Sequence, residues 1–254
     1  MAHQPTSTKP VGEEPRIEVI DREEDIITGF DCACKAFGNQ VRDNLWMAVN
    51  PGWDTPEGRA RAAAKLVKKW RNVTYDKQGN PNSIFLKATV SDQGRPVVAG
   101  LAIWEQLSIV EGHGEQPPDD QRIASDVEAL YPGDEVEQRY LSQTLRSFFK
   151  RRVEVVREKA TSNPPAVMHL RSCSVDPAYQ RRGIAQRFVQ WGLDEAQRRG
   201  GLEAITEASS MGRHVYSRLG FRAEGPDMEY EVDAEFLSRE RPPNLFMRTG
   251  VSQQ

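Results

Sequence analysis

The stretch VMHLRSCSVDPAYQRRGIAQRFVQWGLDEA, Val167 to Ala196, constrains the fold more than any other part of the chain. Val167 to Val175 reads as a strand, and Pro177 forbids its simple continuation because proline cannot donate to a sheet ladder. Ala185, Phe188, Val189, Gly192, Leu193 and Ala196 then follow the 3, 4, 7, 8 and 11 spacing of one helical face, which RRGG ends. Between the two lie Gln180, Arg181, Arg182 and Gly183. A strand that runs straight into a helix leaves the first helical amides without intrahelical partners. Together with the positive end of the helix dipole they form an anion site. Gly183 lets a phosphate reach the backbone with no Cβ in the way, Ala185 keeps the first turn slim, and Arg181 and Arg182 add positive charge. The same residues also suit an ordinary basic helix start at a surface.

The flanking sequence supplies the rest of an α/β domain. Residues 1 to 15, rich in Pro, Thr and charge, have little to bury and read as a flexible leader, leaving one domain over 16 to 254. Arg16 to Ile20 alternates as a strand does. Ile26, Phe30, Cys34, Phe37, Val41, Leu45 and Ala48 recur at helical spacing and predict one long amphipathic helix. Thr55 and Pro56 form the N-cap and first position of another helix, whose face is Ala63, Leu66, Val67 and Trp70. Ser83 to Val90 and Pro96 to Leu107, separated by the turn-like SDQGR, predict an antiparallel hairpin. Residues of about 111 to 165 form an insertion, with a charged helix over Val136 to Lys159 whose stripe is Leu141, Leu145, Phe148 and Val155. Its RSFFKRR run places Phe inward and Lys or Arg outward, which favours a solvated helix face over a nucleic-acid contact. After the central unit come a strand LEAITEA, a helix MGRHVYSRLG, and two strand-like pieces, MEYEV and NLFMR.

A formal net charge of -3 argues against a nucleic-acid partner held by global charge, since phosphate neutralisation needs a basic face. No segment approaches the ~20 apolar residues of a spanning helix, so no membrane partner is expected and a cytosolic or nuclear location is the default. Three cysteines cannot make an even disulfide framework, and Cys32 and Cys34 point to different faces of a helix rather than to one metal. They are read as reduced thiols.

The segment VDPAYQRRGIA resembles the coenzyme A signature of the GNAT superfamily of N-acetyltransferases, with Gln180, Gly183 and Ala185 at the positions that hold the pyrophosphate. The resemblance extends from Val167 to Phe221, in the family's order and at about its spacings. It implies a mixed, mostly antiparallel sheet with flanking helices, splayed open between its fourth and fifth strands, here Val167 to Val175 and Leu202 to Ala208. The long helical insertion before the fourth strand departs from the minimal fold. Coenzyme A would enter the split. Its pantetheine arm would pair with backbone groups of Cys173, Ser174 and Val175, and its pyrophosphate would sit on the amides of Arg181, Arg182, Gly183, Ile184 and Ala185.

Direct acyl transfer needs a base for the attacking amine, donors for the oxyanion and an acid for the departing thiolate. Tyr216 lies where the family commonly has the tyrosine that protonates the sulfur, and its alternative is a ring packing helix onto sheet. Glu207 and Glu105 are candidates for a base or an ammonium contact, each against a plain solvated or ion-paired role. Cys173 invites an acyl-cysteine, yet a cysteine in a buried strand is usually a small apolar filler. In an extended strand His169 shares a face with Arg171, Cys173 and Val175, the face expected to border the split. In the histone-modifying branch of the family the position of His169 carries a glutamate base. A neutral imidazole can take that role, and a structural hydrogen bond is its alternative. The expectation is an enzyme that moves an acetyl or similar short acyl group from acetyl-CoA to a small amine or peptide acceptor, with no metal. The alternatives are a non-catalytic acyl-CoA-binding module that uses the insertion to contact a partner, and transfer to a hydroxyl or a protein lysine.

Overall fold

A computed structural model of the chain describes residues 14–250. The leader expected over 1 to 15 falls almost wholly outside those residues. Seven strands form one sheet in the order β1-β2-β3-β4-β5-β7-β6. They are β1 (Arg16–Val19), β2 (Ser83–Asp92), β3 (Arg95–Leu107), β4 (Val167–Val175), β5 (Glu203–Ala208), β6 (Arg222–Ala223) and β7 (Leu245–Arg248). The hairpin β2–β3 forms as its two runs and the SDQGR turn predict, and every neighbouring pair is antiparallel except β4–β5. The parallel pair is short. It runs only from Val167↔Glu203 to His169↔Ile205, after which the two strands part. The fold is therefore α/β with a sheet split between its fourth and fifth strands, as expected.

The helices are α1 (Glu23–Ala33), α2 (Asn44–Ala48), α3 (Pro56–Arg71), α4 (Asp120–Leu130), α5 (Glu135–Glu158), α6 (Ile184–Arg198) and α7 (Arg213–Arg218). Thr55 caps α3 by accepting from the Gly58 amide at 3.0 Å, with Pro56 in the first turn, as its sequence requires. On one face of the sheet α6 buries Phe188 and Val189 against Leu170, Trp104 and Val175. On the other, α1 and α3 cover Phe85, Leu101 and Ile103, while α5 lays Val155 and Val156 on Val167, Ile205 and Phe246. The segment before β4 is thus part of the core rather than an appendage, and removing it would uncover the parallel pair.

Gly192 of α6 lies flat on the Trp104 indole, whose Nε1 donates to the Phe188 carbonyl at 3.2 Å. A Cβ at Gly192 would stand 1.9 Å from the indole. Glycine to alanine normally stabilises a helix by about 1 kcal/mol. Here Gly192→Ala is expected to lower stability by roughly 1–3 kcal/mol through overpacking, a change of sign that urea unfolding would detect.

Four sequence expectations change. The single long helix over 26 to 48 is broken, because α1 widens into a π-helical stretch, Cys34–Val41, and Arg42 takes a left-handed φ of 56° before Asp43 caps α2. A bulge in β4 pairs Ile103 with Ser172 but Trp104 with Leu170, leaving Arg171 as the extra residue. Alternation flips there. Cys173 and Val175 pack on the α6 side with Leu170, while His169 and Arg171 meet Glu105 on the opposite side. MEYEV forms no strand. Its Met228 amide bonds to the Asn244 carbonyl at 2.8 Å and its Glu231 amide to Ser147 Oγ at 3.0 Å, so the segment lies on α5 instead of joining a ladder. Finally, Arg146 and Lys150 of RSFFKRR face outward as expected, but Arg152 is buried.

Candidate active site

The joint between β4 and α6 has the geometry of a cradle. Gly183 stands at the N-cap of α6 with φ 79°, no side chain caps the helix, and the amides after it are left for another partner. A Cβ at Gly183 would meet nothing within 4 Å, so the backbone there opens on free space. That space is a depression of about 340 Å³ lined by Arg182, Gly183, Gln186, Arg187 and Gln190. Ile184 is buried beneath it, whereas Arg181 and Arg182 are exposed, with Arg182 over the Tyr179 ring at 5.3 Å. Arg187 also holds Glu14 at 2.6 Å. Gln180 does not face the depression. Its amide nitrogen donates to the Val175 carbonyl at 3.1 Å and exchanges bonds with Gln40, tying the turn to the π-helical stretch. Three cationic side chains, a slim turn and uncapped amides fit a pyrophosphate.

From the cradle the free edge of β4 leads into the split. The Asp176 amide donates to the Ala99 carbonyl, so Ser174, two residues before it, turns its backbone toward β3. Cys173 and Val175 turn theirs toward β5, which has already diverged. The Val175 carbonyl is taken by Gln180, which leaves the Val175 amide and both backbone groups of Cys173 facing the gap. Ser174 contributes no free edge, and its hydroxyl donates to the Leu101 carbonyl at 3.2 Å.

Tyr216 of α7 stands across this gap. Its ring is buried against Phe221, and Gly212 makes room for it, since a Cβ there would lie 2.9 Å from the Tyr216 hydroxyl oxygen. Burial, with a smaller contribution from Cys173, holds the phenol well above its usual range, so it keeps its proton. Burial likewise pushes the Cys173 thiol up to about 12, which leaves negligible thiolate for nucleophilic attack.

On the opposite side of the sheet the structure joins His169, Glu105 and Glu207 in one chain. His169 is fully buried, with Nδ1 at 3.2 Å from Glu105 Oε2 and Nε2 at 3.0 Å from Glu207 Oε2. Glu105 also accepts from Lys69 and from Arg171, the latter at 3.2 Å. Arg152 of α5 grips Glu207 with two bonds, Nε to Oε1 at 2.8 Å and Nη2 to Oε2 at 2.6 Å, and lies over Phe149 at 4.6 Å. Burial alone would raise both carboxyls. Arg152 and His169 outweigh it and hold Glu207 down at about 2, while Arg171 and Lys69 hold Glu105 well below the usual range. Burial lowers the Lys69 ammonium. Both ring nitrogens of His169 are engaged by carboxylates, Nδ1 by Glu105 and Nε2 by Glu207, so neither is left for a further partner. The chain crosses β3, β4 and β5 at His169↔Ile205, the last pair before the split. Lys69 and Arg152 are the members that sequence reasoning missed as parts of this group. A cation at a helix position beside an apolar stripe carries no mark that it is buried.

The mixed sheet with its short, splayed parallel β4–β5 pair and flanking helices is the GNAT fold, to which the helical segment before β4 is added. The model of the acetyltransferase (GNAT) family matches residues 147–221 of this chain. The arylalkylamine N-acetyltransferase 2 of Aedes aegypti is similar in structure over 93% of this chain and 98% of its own, with a TM-score of 0.56 at 18% identity. The polyamine N-acetyltransferase of Drosophila melanogaster, which forms N-acetylagmatine, is similar over 92% and 97%, with a TM-score of 0.57 at 12% identity. A comparison with curated protein sequences finds no match. No helix among the described residues is long and apolar enough to cross a membrane, and no group of three or more His, Cys, Asp or Glu side chains among them is arranged to hold a metal ion.

Proposed function

We propose that the chain transfers an acetyl group from acetyl-CoA to the nitrogen of a small amine, by direct attack within a ternary complex. The observation that carries this reading is the continuous path from the uncapped amides at Gly183, along the free edge of Cys173 and Val175, to the protonated Tyr216 hydroxyl. Amine acetylation by the structurally similar insect enzymes supports the acceptor class. Acetyl-CoA supplies the acetyl group as a thioester. The amine nitrogen bonds to the carbonyl carbon and the carbon–sulfur bond breaks. Tyr216 gives its proton to the departing sulfur and recovers one from solvent. The Cys173 and Val175 amides are placed to steady the oxyanion, and the proton of the amine leaves to water.

Glu207 and His169 are proposed to act indirectly. Their side chains are nearly fully buried and their polar atoms are taken, so they clamp the point where the strands part and do not touch the acceptor. Gln180 is assigned to holding the turn, and Arg181, Arg182 and Arg187 to meeting phosphate.

The test is thiol release from acetyl-CoA with a panel of amines, with mass detection of the acetylated product. Tyr216→Phe is expected to lower kcat about a hundred-fold with acetyl-CoA affinity unchanged, since it removes a proton donor and keeps the ring. Equal turnover would return Tyr216 to packing. Tight acetyl-CoA binding with no turnover of any amine would favour a binding module.

A further inference from the structure

The turn that leads into α6 holds a backbone conformation that most residues avoid. Arg181 has a φ of 60° and Gly183 one of 79°. Glycine enters this region freely, whereas an arginine stays there only where the surrounding structure fixes it. The fixing comes from another part of the chain.

The π-helical stretch Cys34–Val41 packs against β4 and against the single 3-10 turn Pro177–Tyr179. Lys35 Nζ meets Oδ2 of the buried Asp176 at 2.6 Å, and Asp176 Oδ1 accepts from the Ala178 amide at 3.0 Å. Gln40 and Gln180 exchange two bonds of 3.1 and 2.8 Å, while Gln180 Nε2 also donates to the Val175 carbonyl. One tie holds the residue before Pro177–Tyr179 and the other the residue after it, next to Arg181.

Lys35 and Gln40 are five residues apart. In an α-helix that spacing sets two side chains about 140° apart around the axis, so one of them would face away from the turn. In a π-helix the hydrogen bonds run from residue i to i+5, and the two come to one side. The widening of α1 is what lets one helix reach both ends of the turn. We propose that Lys35 and Gln40 are positioning residues for the coenzyme: through Asp176 and Gln180 they hold the turn in the conformation that presents the Gly183 amides to the pyrophosphate. The inference rests on the reading of that turn as the coenzyme cradle. Without the ties the amides and arginines of the cradle are still present, but binding must then supply their ordering.

Calorimetric titration with acetyl-CoA, together with steady-state kinetics on an amine that the native chain acetylates, tests this. Lys35→Met and Gln40→Ala are each expected to raise the Kd and KM for acetyl-CoA about ten-fold, with kcat at saturating acetyl-CoA retained. The double variant is expected to lose more than either alone. Lys35→Arg keeps a cation for Asp176 and is expected to restore most of the affinity. Urea unfolding separates positioning from support of the fold: lowered stability with an unchanged Kd in the folded double variant makes both ties structural and overturns the inference. A fall in kcat with an unchanged Kd overturns it as well. Either result leaves the cradle standing, because the native chain still binds acetyl-CoA. A native chain that does not bind acetyl-CoA removes cradle and inference together.

Discussion

Gly183→Glu is expected to abolish acetyl-CoA binding, with affinity falling about a hundred-fold or more. Two effects compete in this substitution. The residue has a φ of 79°, where a side chain costs roughly 1–2 kcal/mol. A Cβ at this position meets no atom within 4 Å, so no clash is added to that backbone cost. The fold can absorb it. The cradle cannot, since the new carboxylate projects into the depression beside Arg182 and Arg187, pairs with one of them and repels the pyrophosphate. Juxtaposed like charges cost several kcal/mol, and every 1.4 kcal/mol is ten-fold in affinity. Calorimetric titration with acetyl-CoA measures the loss, and circular dichroism checks the fold. Gly183→Asn tolerates the left-handed conformation and carries no charge, so it is expected to retain most of the binding. A folded Gly183→Glu chain with unchanged affinity would remove this turn from the coenzyme site.

That prediction could be framed from sequence alone, whereas the next could not, and the reason is physical. The cradle rests on local chemistry. A strand, a glycine and an apolar stripe at helical spacing are all written within a single span, and α6 forms where Ala185 to Ala196 says it must. The cap at Thr55 and the β2–β3 hairpin are equally local. What alternation cannot show is an extra residue in the ladder. The bulge at Arg171 reverses the side on which Cys173 and Val175 lie, so an argument from strict period two put them beside His169. Helical periodicity has the same blindness to π-helical widening. The seven apolar positions from Ile26 to Ala48 share a spacing, yet Cys34–Val41 unwinds enough to swing Asp43 into a capping position that the regular pattern lacks. The two carboxylates were visible as candidates, but their partners come from α3 and α5, far away in the chain, and hydropathy scores Lys69 and Arg152 as solvent-facing.

Arg152→Met is expected to destabilise the protein by about 3 kcal/mol at pH 7, the usual cost of removing one partner from a buried ion pair. Methionine keeps a long apolar stem against Phe149, so most of the packing is preserved and the charge is what is lost. The pH dependence separates the two contributions. In the native chain Glu207 is held at about 2, below the ordinary carboxylate value near 4.3 that it has when unfolded. A depressed folded value contributes stability that is fully present above about pH 4.3 and is lost as pH falls toward 2. Without Arg152, burial dominates at Glu207 and its carboxyl moves up, so the variant gains relative stability on acidification. The difference between native and variant chains, measured by urea unfolding from pH 7 down to pH 4, is therefore expected to narrow. Glu207→Gln in the Arg152→Met background is expected to recover part of the loss at pH 7, because a neutral amide is cheaper to bury than an unpaired carboxylate. A gap that stays constant across this range, with no recovery in the double variant, would assign Arg152 to packing on Phe149 and detach α5 from the clamp that holds the strands where they part.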